Sequence, residues 1–190
     1  DHQGPFPPTY APLETLLNHP PPGYPAKGTG IESSLPSNPA PWLKLARLLI
    51  RRNRMPRSEE LMEYHDKTTV NAVEAVCSRL RLSIKERNFI NGIIRHYTRP
   101  FHLYNTFKRK LLTPKTVTRF FMDVGPLTPH LMLCAQAETR SVPFDSDAFS
   151  NFFKHILRAY NETYLPGKSC PPLVSGRDLM RVFGLPPSPL

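Results

Sequence analysis

The chain is poor in cysteine and has no long apolar run. Its 190 residues include three cysteines, Cys77, Cys134 and Cys170, too few and too scattered for a disulfide framework or a Cys-based zinc site. No stretch is apolar for long enough to span a bilayer, and no signal-peptide pattern is present. We therefore expect no membrane partner. Cys77 and Cys134 fall on apolar helix faces, which predicts buried thiols and fits a reducing, cytoplasmic compartment.

The sequence also lacks a Gly-rich phosphate loop, paired carboxylates of the nucleotidyltransferase kind and the alternation of amphipathic strands. These absences exclude a P-loop centre and a nucleotidyl-transfer centre from the chain itself. Acidic residues are few, with 15 Asp and Glu against 25 Lys and Arg, which gives a formal net charge of +10. Such an excess favours a polyanionic partner, nucleic acid before a membrane surface.

Proline is abundant, with 23 residues, and it is concentrated near the two ends of the chain. We predict a Pro-rich extended arm over residues 1–41, a helical domain over 42–165 and a tail with one short helix over 166–190. The middle region is patterned for helices, so the predicted fold class is all-α. Because the chain begins at Asp1 and not at Met, we expect it to be a piece of a longer protein.

Helix start signals recur along the chain. Ser83 and Glu86 have the spacing of a capping box, and Pro100 predicts that the helix they open ends near Arg99. His96, Arg99 and His102 then gather at a helix C-terminus, where cations are favoured. Three other predicted helices cover 10–18, 41–53 and 58–81. Four more are predicted from their start signals alone: one begins at Thr113, one at Thr128, one at either Asp145 or Ser146, and one at Ser175.

Four segments, in order, resemble one family. They are RLRLSIKERNFINGIIRHYTRP (79–100), TVTRFFMDVG (116–125), LMLCAQAETR (131–140) and PLVSGRDLMRVFGLPPSP (172–189). They are similar to segments of the HD-domain portion of bacterial poly(A) polymerases and tRNA CCA-adding nucleotidyltransferases. The resemblance implies an HD-domain-like helical bundle that follows a nucleotidyltransferase head, and that head would lie upstream of Asp1.

The chain departs from that family at the metal site. The adjacent His–Asp pair of HD domains corresponds here to Ile50 and Arg51, which cannot replace it as ligands. The resemblance leaves His65, His96 and Glu138 as vestigial metal candidates, so we expect no catalytic residue and no divalent metal in the chain. The alternative without metal binding is, for His65, a surface or N-cap histidine and, for Glu138, an exposed salt bridge with Arg140.

With the HD chemistry lost, the resemblance implies a body that holds RNA, with the 3′ region of tRNA as the expected partner. Basic residues beside aromatic ones suit phosphates and unstacked bases. The basic residues fall in two runs, one from Arg47 to Arg54 and a second from Arg99 to Lys110. Tyr97, Tyr104 and Phe107 are interleaved with the second run; Phe107 is assigned to the core, and the role of Tyr104 is left open. The alternatives are a residual metal-dependent HD phosphohydrolase and a purely structural linker. The predicted RNA-binding residues are Arg47, Arg51, Arg52, Arg54, Arg99, His102, Lys108, Arg109 and Lys110.

Overall fold

The structure of the chain, a computed structural model, describes residues 11–20, 24, 35–52, 73–139, 146–169 and 176–184. These residues form helices joined by turns and contain no strand, which confirms the all-α class. Residues 73–79 are also helical. The helices are α1 (Ala11–Asn18), α2 (Ala40–Arg52), α3 (Ile84–His96), α4 (Arg99–Lys108), α5 (Pro114–Val124), α6 (Thr128–Thr139), α7 (Ser146–Ala159), α8 (Leu165–Ser169) and α9 (Gly176–Phe183).

The capping box at the start of α3 is present as predicted. The Ser83 Oγ accepts from the Glu86 N–H at 3.4 Å, and the Ser83 N–H donates to Glu86 Oε2 at 2.8 Å. Thr113 caps α5 in the same way by accepting from the Thr116 N–H at 3.2 Å. Each bond satisfies a backbone donor that the first turn of a helix leaves unpaired.

The end of α3 differs from the expectation. The helix stops at His96, and a new helix, α4, begins at Arg99 with Pro100 in its first turn. Proline has no N–H to donate and its φ suits the first helical turn, so Pro100 opens α4 where we expected it to close α3. His96, Arg99 and His102 therefore lie across a junction between two helices and not at the end of one.

The core is built around α6. Every residue of this helix except Glu138 is buried, and α6 contacts α1, α2, α3, α4 and α7. Two of its buried polar side chains are bonded locally or to the next helix: Thr128 Oγ1 donates to the Gly125 carbonyl at 2.8 Å, and Gln136 Nε2 donates to Ser150 Oγ at 2.8 Å. A helix that is buried on all sides fixes the positions of its neighbours.

Aromatic rings fill the space between α4 and α7. Tyr104 lies 5.1 Å from the Phe149 ring and 5.4 Å from the Phe152 ring, measured between centroids. Such edge-on and tilted contacts add to the free energy gained from burial. The apolar face of α7 is fully buried at five positions, Phe149, Phe152, Phe153, Ile156 and Leu157.

The helix of the N-terminal region also contributes to this core. Leu13 and Leu16 of α1 are buried, and α1 contacts α6. Leu80, an apolar residue of the helix predicted over 58–81, is exposed, so it is not part of the buried face of that helix. The domain boundaries at 41/42 and 165/166 stay predictions. In the described part of the chain, no helix combines the length and apolar character needed to cross a membrane.

Candidate nucleic-acid interface

The junction between α3 and α4 carries a basic cluster that includes the start of the predicted run from Arg99 to Lys110. His96 is half-buried and His102 is exposed, and the Arg99 guanidinium donates to the Asp123 carboxylate on α5. That hydrogen bond, together with the nearby Arg119 and His96, holds the pKa of Asp123 below its ordinary value. Asp123 thus brings Arg99 and Arg119 together at the surface, although they lie on different helices.

Another cluster, the remainder of that predicted run, lies at the C-terminus of α4. Lys108, Arg109 and Lys110 are all exposed, where cations are favoured by the helix dipole. The Lys108 ammonium lies 5.7 Å from the centre of the Tyr104 ring. Tyr104 itself is only 1 % exposed, so it belongs to the core and is not a platform for bases.

Sequence reasoning missed a feature that encloses both clusters. From Arg87 to Met122 the chain has no Asp or Glu, and most of the basic residues that α3, α4 and α5 contribute to this stretch are exposed. Three of its basic residues, Arg95, Lys115 and Arg119, were not predicted as site residues, and all three are exposed. We call the following residues the basic surface: Arg95, Arg99, Lys108, Arg109, Lys110, Lys115 and Arg119.

Arg47 is not part of any such surface, and its predicted role in RNA binding is wrong. The side chain is buried, with 1 % of the residue exposed. It donates to the Ala137 carbonyl at 3.1 Å and to Glu138 Oε2 at 3.4 Å. A guanidinium enclosed between α2 and α6 cannot reach a phosphate. The signal was available in the sequence, because position 47 falls on the buried stripe of α2.

Glu138 is therefore engaged with Arg47, while Arg140, the partner that the alternative named, lies outside the described residues. Its side chain is 19 % exposed, and the interaction ties α6 to α2. Within the described residues, no three His, Cys, Asp or Glu side chains are grouped as metal ligands would be. His65 and Arg54 lie outside the described residues. Arg51 and Arg52 end α2, and their side chains also lie outside what the structure describes.

Burial holds two titratable groups of α6, His130 and Cys134, in their uncharged forms. Desolvation lowers the pKa of His130 to about 4 and raises the pKa of Cys134 to about 12. The His130 ring contacts Tyr24 and Phe89 edge-on, with centroid separations of 5.8 and 5.3 Å. A neutral imidazole and a protonated thiol in such surroundings serve the core and do not form a nucleophilic pair at the surface.

No protein-family model matches the chain, and a search of the curated proteins finds no match either.

Proposed function

We propose that this chain is an RNA-binding body, similar to the HD-domain portion of a poly(A) polymerase or tRNA nucleotidyltransferase, whose own metal site has degenerated. The observation that carries the proposal is the basic surface, seven cations between Arg95 and Arg119 in a stretch without Asp or Glu; Asp123, just beyond this stretch, forms an ion pair with Arg99 of the surface. Lys and Arg that neutralise phosphates release condensed counterions, and this supplies sequence-independent affinity for RNA.

The proposal extends to the partners that the resemblance implies. The RNA would be the 3′ region of tRNA, presented to a nucleotidyltransferase head that belongs to the same protein in the cytoplasm. Both basic clusters lie on α3, α4 and α5, so one continuous strand could contact them in turn. The engagement of Glu138 by Arg47 removes a vestigial ligand and counts against the phosphohydrolase alternative.

The test is the binding of tRNA by the 190-residue chain across a salt series. The variant replaces Arg109, Lys115 and Arg119 with Ser, and its matched control replaces Arg79, Lys85 and Lys168, which are equally exposed and remove the same charge. Each lost phosphate contact lowers the slope of log K against log[salt] by about 0.7–0.9. We expect the first variant to lose a slope of about 2 and the control to keep the wild-type slope.

Three results would count against the proposal. Equal losses in the variant and the control would mean that net charge alone attracts the RNA. Binding that is weak and flat in salt for the wild-type chain would favour the structural linker. A requirement for divalent metal in binding or cleavage would revive the phosphohydrolase alternative.

A further inference from the structure

Asp123 is isolated from the other acidic residues of the sequence. Between Glu86 and Glu138 it is the sole Asp or Glu of the chain. It lies on α5, about one helical turn after Arg119 of the basic surface, and it is exposed. A carboxylate that solvent can reach is thus set among cations, in the part of the sequence that is otherwise without negative side chains.

Two cations of the basic surface meet at Asp123 from different helices. The Arg99 guanidinium of α4 donates to the Asp123 carboxylate. Arg119 precedes Asp123 by four residues on α5, and residues at this spacing are neighbours on one face of a helix. The hydrogen bond from Arg99 is the largest cause of the lowered pKa of Asp123, and the charge of Arg119 adds to it. Both guanidinium groups therefore act on the same carboxylate.

The stability of α5 does not account for an acidic residue at this position. The helix ends at Val124, so Asp123 lies in its last turn, where the partial negative charge of the helix C-terminus disfavours an anion. A cation four residues before an anion is also the less favourable order of such a pair. The interaction that does favour Asp123 is the one across to Arg99 on α4.

A carboxylate and an RNA phosphate compete for the same guanidinium. Both are anions that accept hydrogen bonds from arginine. The side chains of Arg99 and Asp123 are 42 % and 40 % exposed, so a phosphate can approach the pair, but it gains Arg99 only by replacing the carboxylate. Asp123 also repels a phosphate brought near Arg119. Its charge persists at neutral pH, because Arg99 holds the pKa of this carboxyl below its ordinary value.

We propose that Asp123 is an internal competitor of RNA on the basic surface and that it keeps Arg99 from contacting phosphate. The inference rests on the proposed RNA-binding function and deepens it, because it names the residue that limits the affinity of that surface. The other cations of the basic surface hold the RNA while Arg99 stays on Asp123. Sequence-independent binding is thereby weaker than the number of cations implies, and the RNA dissociates more readily.

The experiment measures tRNA binding by the 190-residue chain across a salt series, with Asp123→Asn as the variant. Asparagine keeps the size of the side chain and removes a charge that the helix C-terminus disfavours, so the variant should fold, which circular dichroism checks. The matched control is Glu162→Gln. Glu162 accepts from Arg158 Nε at 2.9 and 3.1 Å in an exposed ion pair. The control therefore also removes one negative charge and releases one arginine, but outside the basic surface.

We expect Asp123→Asn to bind tRNA more tightly at low salt, by up to about fivefold, the equivalent of one exposed ion pair. Its slope of log K against log[salt] should be steeper by about 0.7–0.9, which corresponds to one additional phosphate contact. Glu162→Gln should keep the wild-type slope. Arg99→Gln added to Asp123→Asn should return the slope to the wild-type value, because Arg99 makes the additional contact.

An unchanged or lower slope in Asp123→Asn, with tRNA still bound by the wild-type chain, would overturn this inference and leave RNA binding by the basic surface intact. An equal gain in Glu162→Gln would overturn it too, since net charge alone would then explain the effect. A gain that survives the addition of Arg99→Gln would contradict the role of Arg99. If neither the wild-type chain nor Asp123→Asn binds tRNA, the proposed function itself is overturned.

Discussion

Arg47 illustrates how a charged residue in a sequence pattern is assigned to the wrong environment. It follows Lys44 and precedes Arg51 and Arg52, so its neighbours in the sequence indicate a solvated basic face. Helical geometry indicates the opposite, because Leu43, Ala46 and Ile50 of the same helix are buried and position 47 lies among them. The periodicity was the stronger signal, since it reports the side to which the side chain points.

Removal of the Arg47 side chain should destabilise the fold. In Arg47→Ala the Glu138 carboxylate loses the Arg47 guanidinium at a mostly buried position, and a cavity is left between α2 and α6. Breaking a buried pair in this way costs about 3–5 kcal/mol. Unfolding in urea should show that loss, while Arg79→Ala, at an exposed position, should change the free energy of unfolding by less than about 0.5 kcal/mol.

Affinity for tRNA separates the corrected role of Arg47 from the one first predicted. In conditions where Arg47→Ala remains folded, its salt slope for tRNA binding should equal that of the wild-type chain. A slope reduced as much as in the Arg109, Lys115 and Arg119 variant would mean that Arg47 contacts RNA and that its burial between α2 and α6 is not maintained.

His130 should make the fold sensitive to acid. Burial lowers the pKa of His130 to about 4 in the folded chain, while an unfolded histidine titrates near 6.5. Below pH 6.5 the unfolded chain therefore binds a proton that the folded chain does not. The stability is fully present above pH 6.5 and falls as the pH drops toward 4, by up to about 3 kcal/mol.

Urea unfolding at pH 7.5 and at pH 4.5 measures this loss. His130→Leu should flatten the pH dependence, whereas His102→Leu, at an exposed position on α4, should leave it as in the wild type. An undiminished acid loss in His130→Leu would assign the sensitivity to other groups.

The ends of two helices show how much of an element the sequence predicts. Capping residues marked the starts of α3 and α5 correctly, because a start requires a specific side chain. Two C-terminal ends carry no such mark: Arg81 and Lys110 adopt left-handed φ values of 52° and 59° where glycine is usual. At Lys110 the N–H of Lys110 donates to the Phe107 carbonyl and that of Leu111 to the Thr106 carbonyl, which closes the helix.

Replacement of these two residues by glycine should stabilise the chain. The left-handed conformation costs a residue with a Cβ about 1 kcal/mol relative to glycine, so Lys110→Gly and Arg81→Gly should each raise the free energy of unfolding by about that amount. The two variants differ in their expected effect on RNA. Lys110→Gly removes a cation of the basic surface and should lower the salt slope by about 0.7–0.9, while Arg81→Gly should not.

A lower free energy of unfolding for either glycine variant would contradict the backbone argument. Equal slopes for the two variants in tRNA binding would contradict the assignment of Lys110 to the basic surface. Because both substitutions relieve the same conformation, differences in folding cannot account for a difference in binding.

At the scale of the whole molecule, the sequence predicted the fold class but not the arrangement around α6. Apolar periodicity identifies which face of each helix is buried, and this held for α3, α5 and α7. It does not say which helices meet, and α6 has no periodic pattern because it is buried on nearly every side. The stretch without Asp or Glu, residues 87–122, could have been recognised in the sequence. A groove lined by Val117, Phe121 and Ala159 could not, because it depends on how α5 and α7 are placed.

The two buried thiols report whether this core opens as a unit. Cys77, in the helical residues 73–79, and Cys134, in α6, are both fully buried, and burial raises the pKa of each thiol. Since the thiolate is the reactive form, neither should react with Ellman's reagent until the chain unfolds. In a Cys170→Ser background, the reaction of both should follow the global unfolding measured by circular dichroism across urea concentrations.

The urea concentrations at which Cys77 and Cys134 become reactive can also be compared with each other, and this tests whether the core is one cooperative unit. Residues 73–79 are joined to α3 by the Glu74–Arg87 ion pair at 2.8 Å, and Val73 and Cys77 fill space in the common core. If that burial makes the segment part of one cooperative unit, Cys77 and Cys134 become reactive at the same urea concentration. Reaction of Cys77 while Cys134 is still protected would mean that residues 73–79 open separately and that the core is not a single cooperative unit.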